Sequence, residues 1–267
     1  MATYLLLILA GFAAGALNAV AGGGTFLSFP ALVFAGVPPI MANASATLAA
    51  LPGYVASAYA FRDDIRATRS LPLPVIFAAS ILGSIVGACL LLLTPNETFN
   101  RIVPWLLGFA TLAFALGPRL RRLSAKGRKA DRSSGQSFGQ SFGQSFGQSF
   151  GLTATTAILT LVTAYGGYFN GGVGILLLAS FSLIGLTNLA EMNGLKNLVS
   201  VILSGVSVVI YTSVGLIAWK EALVVALACS LGGYVGGRLS RRITRQDHLK
   251  TFIVATGLGM TLIFALR

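Results

Sequence analysis

Residues 21–25 read Ala-Gly-Gly-Gly-Thr, and residues 170–174, which lie 149 positions later, read Asn-Gly-Gly-Val-Gly. The same separation relates Leu-Gly-Ser-Ile-Val-Gly at 82–87 to Leu-Gly-Gly-Tyr-Val-Gly at 231–236. Further matches at this separation are Gly36 with Gly185 and Gly108 with Gly257. Because no gap is needed, the chain is predicted to be an internal duplication. Duplicated apolar segments interrupted by glycine at matching places are typical of secondary transporters.

The composition predicts a membrane protein. Hydrophobic residues make up 55% of the chain and charged residues only 10%, whereas soluble domains carry about 25% charged residues. A net charge of +12 can indicate nucleic-acid binding, but here the basic residues occupy a few short loops, as the positive-inside rule describes. We therefore expect an all-α polytopic membrane protein that has the lipid bilayer, and no nucleic acid, as a partner.

Each half of the chain divides into five apolar segments. The predicted segments are 4–20, 25–37, 41–61, 72–93 and 101–117 in the first half, and 152–169, 174–186, 190–213, 221–238 and 250–266 in the second. The second segment of each half is shorter than the ~20 residues that a full helical span needs. Each first and second segment is therefore interpreted as a hairpin or a broken helix joined by its glycine cluster.

The charged loops indicate an orientation. Loops 118–132 and 238–250 are strongly basic and are predicted to be cytoplasmic, as is the more weakly basic loop 62–69. Loops 94–101 and 212–221 carry little charge and are expected outside. The two halves then have inverted topology, with both termini outside. A parallel repeat remains the alternative, because loop 62–69 decides between the two.

The chain is predicted to contain two membrane repeats, 1–117 and 152–267, with a cytoplasmic linker, 118–151, between them. The linker is basic and ends in four Gly-Gln-Ser-Phe copies at 135–150. Such low-complexity sequence is typical of a flexible connection. The regularly spaced phenylalanines leave a partner-binding segment as the alternative.

Two charged residues, Glu191 and Lys196, fall inside an apolar context. An ionisable side chain in a membrane segment is a functional candidate by default. Around Lys196 a polar stripe follows helical spacing, formed by Asn193, Lys196, Asn197, Ser200, Ser204, Ser207 and Tyr211. A thinner stripe in the first half contains Asn43, Thr47, Tyr54 and Ser57. Helix packing is the simpler interpretation for Ser204 and Ser207, whereas packing does not require the cation of Lys196.

The glycine clusters can interrupt a helix and expose backbone N–H groups, which bind anions where a new helix begins. Glycine also permits close helix contact, and this is our interpretation of the small-xxx-small pairs Gly83/Gly87 and Gly232/Gly236. For the clusters we predict an anion site with polar neighbours. Its candidate residues are Asn18, Gly22, Gly23, Gly24, Thr25, Asn43, Thr47, Asn170, Gly171, Gly172, Gly174, Asn193, Lys196 and Asn197. Glu191 is a candidate for proton coupling, because burial favours the protonated form of a carboxylate.

No enzyme motif, nucleotide loop or metal-ligand cluster can be assembled from the sequence, so neither an enzyme nor a cofactor is expected. The single histidine, His248, lies in a basic loop. The functional classes that remain are a carrier, an anion channel and, less simply, an intramembrane enzyme.

The first motif resembles the TauE/SafE family of sulfite exporter-like transporters. The resemblance lies in Gly15-Ala-Leu-Asn18-Ala-Val-Ala-Gly22-Gly23-Gly24-Thr25-Phe-Leu-Ser-Phe-Pro30-Ala-Leu, in Gly36-Val-Pro38-Pro39, in Ala42-Asn43-Ala-Ser-Ala-Thr47 and in Leu51-Pro52-Gly53. The stretch 171–196 fits the weaker second motif of the family.

The resemblance implies a secondary carrier of small sulfur-containing anions such as sulfite, sulfoacetate or other organosulfonates, usually exporting them from a bacterial cell across its inner membrane. It also implies that the family's conserved positions fall on Asn18, Gly22, Gly23, Gly24, Pro30, Asn43, Thr47, Gly171, Gly172 and Gly174. The alternatives are import of a small sulfur or carboxylate anion and an anion channel.

Overall fold

The computed structural model describes residues 1–21, 23–66, 68, 71–112, 152–186, 188–240, 258–259 and 261–262. Gly22, the linker 118–151, His248 and most of the last predicted segment, 250–266, lie outside these residues. Nearly all of the basic loop 238–250 lies outside them as well.

Every regular element in the described part of the chain is a helix, which confirms the predicted all-α class. The helices are α1 (Ala2–Ala21), α2 (Thr25–Phe34), α3 (Pro39–Ala60), α4 (Arg62–Arg66), α5 (Leu73–Leu93), α6 (96–112), α7 (Leu152–Tyr168), α8 (Val173–Leu183), α9 (Leu189–Ser213) and α10 (Trp219–Ser240). Nine of the ten predicted segments each correspond to one of these helices. The tenth, 250–266, lies mostly outside the described residues.

The short helix α4 was not predicted, because its sequence is too polar to stand out among apolar segments. It places Asp63 and Asp64 in its first turn and Arg66 in its last turn. This order of charges complements the helix dipole and stabilises α4, which directly follows α3.

The predicted start of α6 at residue 101 was wrong, because the helix already begins at residue 96. The polar residues 96–98 obscured this start, but Pro95 suits the position just before a first turn. Phe99 donates its backbone N–H to the carbonyl oxygen of Pro95 at 2.9 Å, and its side chain is completely buried. The connection between α5 and α6 is therefore shorter than the predicted loop 94–101.

The second helix of each half is short, as predicted, with 10 residues in α2 and 11 in α8. Both helices end in the same way. Gly36 and Gly185 take left-handed φ angles of 92° and 103°, which glycine adopts without the penalty that a Cβ atom brings. The same two hydrogen bonds close each end: Gly36 N–H to Val33 O, Val37 N–H to Leu32 O, Gly185 N–H to Ser182 O, and Leu186 N–H to Phe181 O.

The long helices pack across the two halves of the chain, α1 against α10 and α5 against α7. Glycine permits both contacts. A Cβ atom at Gly15 would overlap the carbonyl oxygen of Cys229, and one at Gly87 would overlap the carbonyl oxygen of Ala164. A Cβ atom at Gly83 or Gly232 would also overlap the backbone of a neighbouring helix. The packing role predicted for Gly83, Gly87 and Gly232 is therefore confirmed, whereas the surroundings of Gly236 are not described.

Helices α3 and α9 pack against each other and run antiparallel. Near the start of α3, Ser45 accepts a hydrogen bond from the backbone N–H of Ala218, just beyond the end of α9 (3.0 Å). Near the start of α9, Gly194 lies against Phe61 and Ile65, just beyond the end of α3. At each end of this antiparallel pair, the start of one helix therefore lies beside the end of the other.

The outer surface of the helix bundle is largely apolar. Leu93, Trp105 and Leu161 are each more than 70% exposed, and a surface of this kind suits lipid rather than water. Two of the described helices are long and apolar enough to cross a membrane on their own, Leu73–Leu93 and Ala190–Ser213.

The change Gly87→Ala should lower the thermal unfolding temperature of the protein in detergent. The added methyl group would push α5 away from α7, and overpacking of this kind costs about 1–3 kcal/mol. Gly205→Ala in α9 is the matched control, because a Cβ atom there meets nothing within 4 Å. That change should leave the temperature equal or higher, since alanine favours a helix interior by about 0.5–1 kcal/mol. Equal temperatures for the two variants would contradict the packing assignment.

Candidate functional site

The end of α7 is held by side chains from several helices. A helix end leaves its last carbonyl groups without partners inside the helix, and in this chain side chains supply the missing donors. The donor and acceptor pairs are Tyr211 hydroxyl to Gly167 O, Asn43 Nδ2 to Tyr168 O (2.9 Å), Thr25 Oγ1 to Asn170 O (3.2 Å), and Tyr165 hydroxyl to Gly171 O (2.9 Å). We call this set the α7 junction.

The α7 junction brings the two glycine clusters next to each other. Thr25 directly follows the first cluster, and Asn170 directly precedes the second. The rings of Phe29 and Phe169 pack edge to face beside this hydrogen bond, with centroids 5.6 Å apart. Gly172 has a left-handed φ of 76° where α8 begins, so the change of direction after α7 depends on glycine at this position.

Asn170 connects the α7 junction to α9. Its Nδ2 donates to Ser204 Oγ at 3.4 Å. Its Oδ1 is buried and has no hydrogen-bond partner among the described residues. Because an unpaired buried amide oxygen costs free energy, this atom is available for a donor that comes from a bound molecule.

The predicted polar stripe lies on the inner face of α9. Lys196, Ser200, Ser204, Ser207 and Tyr211 are each at least 96% buried. Their spacing of four, four, three and four residues keeps them on one side of the helix. We call these five residues the α9 polar stripe.

Lys196 is the most unusual member of the α9 polar stripe. Its side chain is buried, with 4% of the residue's surface exposed. Within the described part of the chain its ammonium group forms neither an ion pair nor a hydrogen bond. An isolated buried charge is very unfavourable, so a residue of this kind needs a reason other than the stability of the fold.

One hydroxyl group on the same stripe also lacks a partner. Ser200 Oγ, one helical turn after Lys196, is buried without a hydrogen bond to any described residue, whereas the buried Ser207 Oγ lies near the hydroxyl of Tyr211. The hydroxyl groups of Ser80, Ser84, Ser180 and Ser230 bond to a carbonyl oxygen of their own helix. The unpaired hydroxyl of Ser200 can therefore donate to a ligand at this face of α9.

Asn18 lies on α1 beside the first glycine cluster, since a Cβ atom at Gly24 would come within 3.0 Å of Asn18 Cβ. Its Oδ1 is buried without a partner, and its amide group approaches the hydroxyl of Tyr54. Tyr54 is almost completely buried in α3, near Cys229 of α10. Asn18 therefore connects the first glycine cluster to α3.

The predicted site residues form several groups. Thr47 donates to the carbonyl oxygen of Asn43 within its own helix, and Asn197 is buried on α9. Asn193 and Glu191 are half-buried near the start of α9. Lys196 lies eight residues before Ser204, about 12 Å along the helix axis. Asn43, Thr25 and Asn170 thus meet at the α7 junction, and Lys196 lies two turns away.

The glycines of the two clusters are also explained in part by packing. A Cβ atom at Gly24 would overlap the carbonyl oxygen of Ala14, and one at Gly171 would overlap the ring of Phe169. Gly23 and Gly174 are buried. Close contact alone accounts for Gly24 and Gly171, so their presence does not by itself indicate a ligand.

The sequence did not indicate the roles of Tyr165, Tyr211 and Ser200. Tyr211 donates to the carbonyl group of Gly167 in α7, Tyr165 donates to that of Gly171 between α7 and α8, and Ser200 has an unpaired hydroxyl one turn after Lys196. The spacing of Tyr211 and Ser200 on the stripe was visible, but their partners depend on which helices pack together. No three His, Cys, Asp or Glu side chains of the described residues gather into a possible metal site.

Comparison with known proteins agrees with this architecture. The family model described as "Sulfite exporter TauE/SafE" matches residues 7–264. A probable membrane transporter protein, ORF9, from Sinorhizobium sp is 28% identical over 239 residues, covering 87% of this chain and 81% of that protein. A probable membrane transporter protein from Haemophilus influenzae is 28% identical over 236 residues, covering 88% and 84%.

The probable membrane transporter protein YfcA of Escherichia coli K12 is 33% identical over 108 residues, which is 40% of this chain and 39% of that protein. No solved structure matches the chain. Since the family model covers nearly the whole sequence, the chain belongs to the TauE/SafE family of membrane transporters.

Proposed function

We propose that this protein is a secondary transporter that exports small sulfur-containing anions, such as sulfite, sulfoacetate or other organosulfonates, across the bacterial inner membrane. The observation that carries the proposal is the buried Lys196, which has no partner among the described residues of a TauE/SafE chain. A fixed cation in an apolar interior is the simplest binding group for an anion whose oxygens accept charge-assisted hydrogen bonds.

The proposed anion path runs along the α9 polar stripe toward the α7 junction. Lys196 supplies the charge, Ser200 supplies a free hydroxyl, and Asn197 and Asn193 are side-chain donors nearby. Asn43 already donates to the carbonyl group of Tyr168 in α7, and Thr25 to that of Asn170 just beyond it, so their proposed part is to hold the two glycine clusters in position. The backbone N–H groups at the clusters and the side chains of Asn18 and Thr47 remain proposed contacts for a moving anion.

The two halves are proposed to be inverted repeats, each with a short helix pair interrupted by its glycine cluster. Three observations support this. The corresponding helices α3 and α9 run antiparallel, the short helices α2 and α8 end with matching hydrogen bonds, and the contact of α1 with α10 is repeated by that of α7 with α5. A pseudo-two-fold axis in the membrane plane relates the helices of the two halves in this way.

The change Lys196→Met should weaken the binding of sulfite and sulfoacetate by about tenfold or more, because a hydrogen bond to a charged group is worth ~1.5–3 kcal/mol. It should also keep or raise the unfolding temperature, since the variant no longer buries an amine without a hydrogen-bond partner. Binding to the purified protein and flux into proteoliposomes measure the first effect, and thermal unfolding measures the second.

Lys220→Met is the matched control for this experiment, because Lys220 is an exposed residue at the start of α10. It removes the same charge and should change neither binding nor flux. Unchanged binding by the Lys196→Met protein would make Lys196 a structural residue. Failure of the parent protein to bind or move any of sulfite, sulfoacetate, taurine and thiosulfate would overturn the proposed function.

The inverted topology predicts which residues face each side of the membrane. Single cysteines in a cysteine-free background should react with an impermeant maleimide in intact cells at positions 98 and 213. Cysteines at position 66 and at position 133, in the proposed cytoplasmic linker 118–151, should react only after the membrane is opened. Labelling of position 66 from outside would favour the parallel repeat instead.

A further inference from the structure

Several ionisable residues lie on the helices packed around α9, but no described carboxylate forms an ion pair with Lys196. The ionisable residues on α9 and on the helices packed against it are Tyr54 and Tyr59 of α3, Arg62, Asp63, Asp64 and Arg66 of α4, Cys89 of α5, Tyr165 and Tyr168 of α7, and Glu191 and Tyr211 of α9. Asp63 lies near Arg62 (3.9 Å) and is mostly exposed. None of the three carboxylates of this group forms an ion pair with Lys196.

Burial without a partner shifts an amine toward its neutral form and away from the ammonium ion, because the apolar interior does not solvate the charge. An anion that reaches the amine reverses this preference, since the ammonium ion can then form a charge-assisted hydrogen bond. Binding of the anion and binding of a proton therefore favour each other, and this coupling is reciprocal.

We propose that Lys196 takes up one proton whenever the site binds a sulfonate or hydrogensulfite monoanion, so that the protein carries the anion and the proton together. The inference rests on the proposed function and adds the coupling ion and the charge of the substrate. In the bound state the ammonium group of Lys196 faces the –SO₃⁻ group; on release the proton leaves with the anion and the amine is neutral again. No covalent bond forms, and the net charge that moves is zero.

The single cation also defines the substrate class. One ammonium group balances one negative charge, and the unpaired hydroxyl of Ser200, one turn away, can donate to a second oxygen of the same –SO₃⁻ group. A dianion such as sulfate would keep one uncompensated charge in the apolar interior, which is costly. The site should therefore prefer a monoanion such as hydrogensulfite or a monosulfonate to a dianion, and among the proposed substrates sulfoacetate, whose carboxylate adds a second negative charge, should bind more weakly.

The probe for this inference is methanesulfonate, which stays ionised at all relevant pH values, so that any proton taken up must come to the protein. Calorimetric titration in two buffers of different ionisation enthalpy measures the number of protons bound per anion. We expect a number approaching one in the pH range where the free amine is neutral. In that range the affinity should fall by about tenfold for each unit of rising pH, because one proton is bound with each anion. Sulfate should bind more weakly than methanesulfonate.

Three variants identify the group that takes up the proton. Lys196→Arg keeps a permanent charge, and it should bind methanesulfonate with no proton uptake and no pH dependence in this range. Lys220→Met removes an exposed lysine and should behave as the parent does. Glu191→Gln removes the other candidate for proton coupling, and this variant should still take up a proton with the anion. If the arginine variant does not fold, the titration of the parent protein with methanesulfonate still tests whether a proton is bound with the anion.

Several outcomes would overturn the inference. They are methanesulfonate binding without proton uptake by the parent, loss of proton uptake in Glu191→Gln, and binding of sulfite but not of methanesulfonate. Each of these leaves the transport of a sulfur anion intact. Absence of binding for both anions would instead overturn the proposed function itself.

Discussion

The architecture depends on the satisfaction of four backbone carbonyl groups, two at the end of α7 and two in the connection from α7 to α8. In an apolar interior no water is available to bind such groups, and each unsatisfied one costs several kcal/mol. Here α2, α3, α7 and α9 each supply one side-chain donor, so that the end of a single helix fixes the relative position of all four. The chain can leave the helical path between α7 and α8 because of these bonds.

The same hydrogen bonds separate structural polar residues from functional ones. Thr25, Asn43, Tyr165 and Tyr211 use their donors to hold the backbone, whereas Lys196 and Ser200 have no partner among the described residues. Removing a structural donor leaves a buried carbonyl group unpaired and destabilises the protein. Replacing Lys196 by an apolar residue removes an unpaired polar group from the interior and relieves the fold, so stability and binding should respond in opposite directions at this residue.

The sequence was sufficient to predict the elements that depend on local patterns. Apolar runs predicted the helices, the glycine clusters predicted where α1 and α7 end, and helical spacing predicted that the stripe around Lys196 faces the interior. The polar starts of α4 and α6 carried no apolar signal and were missed. Hydrogen bonds such as that of Thr25 to Asn170 join residues 145 positions apart, and no local pattern reveals them. For this reason the sequence did not reveal that Asn18 approaches Tyr54 of α3, or that Asn170 bonds to Ser204 of α9.

The central claim is that the anion is bound by Lys196 rather than at the α7 junction. The most direct measurement is an experimental structure of the protein with 2-bromoethanesulfonate, whose bromine atom is located by its anomalous scattering. The account predicts –SO₃⁻ oxygens at hydrogen-bonding distance, about 3 Å, from Lys196 Nζ, with a further contact to Ser200 Oγ. An anion bound between Asn43 and Asn170, without any contact to Lys196, would contradict it.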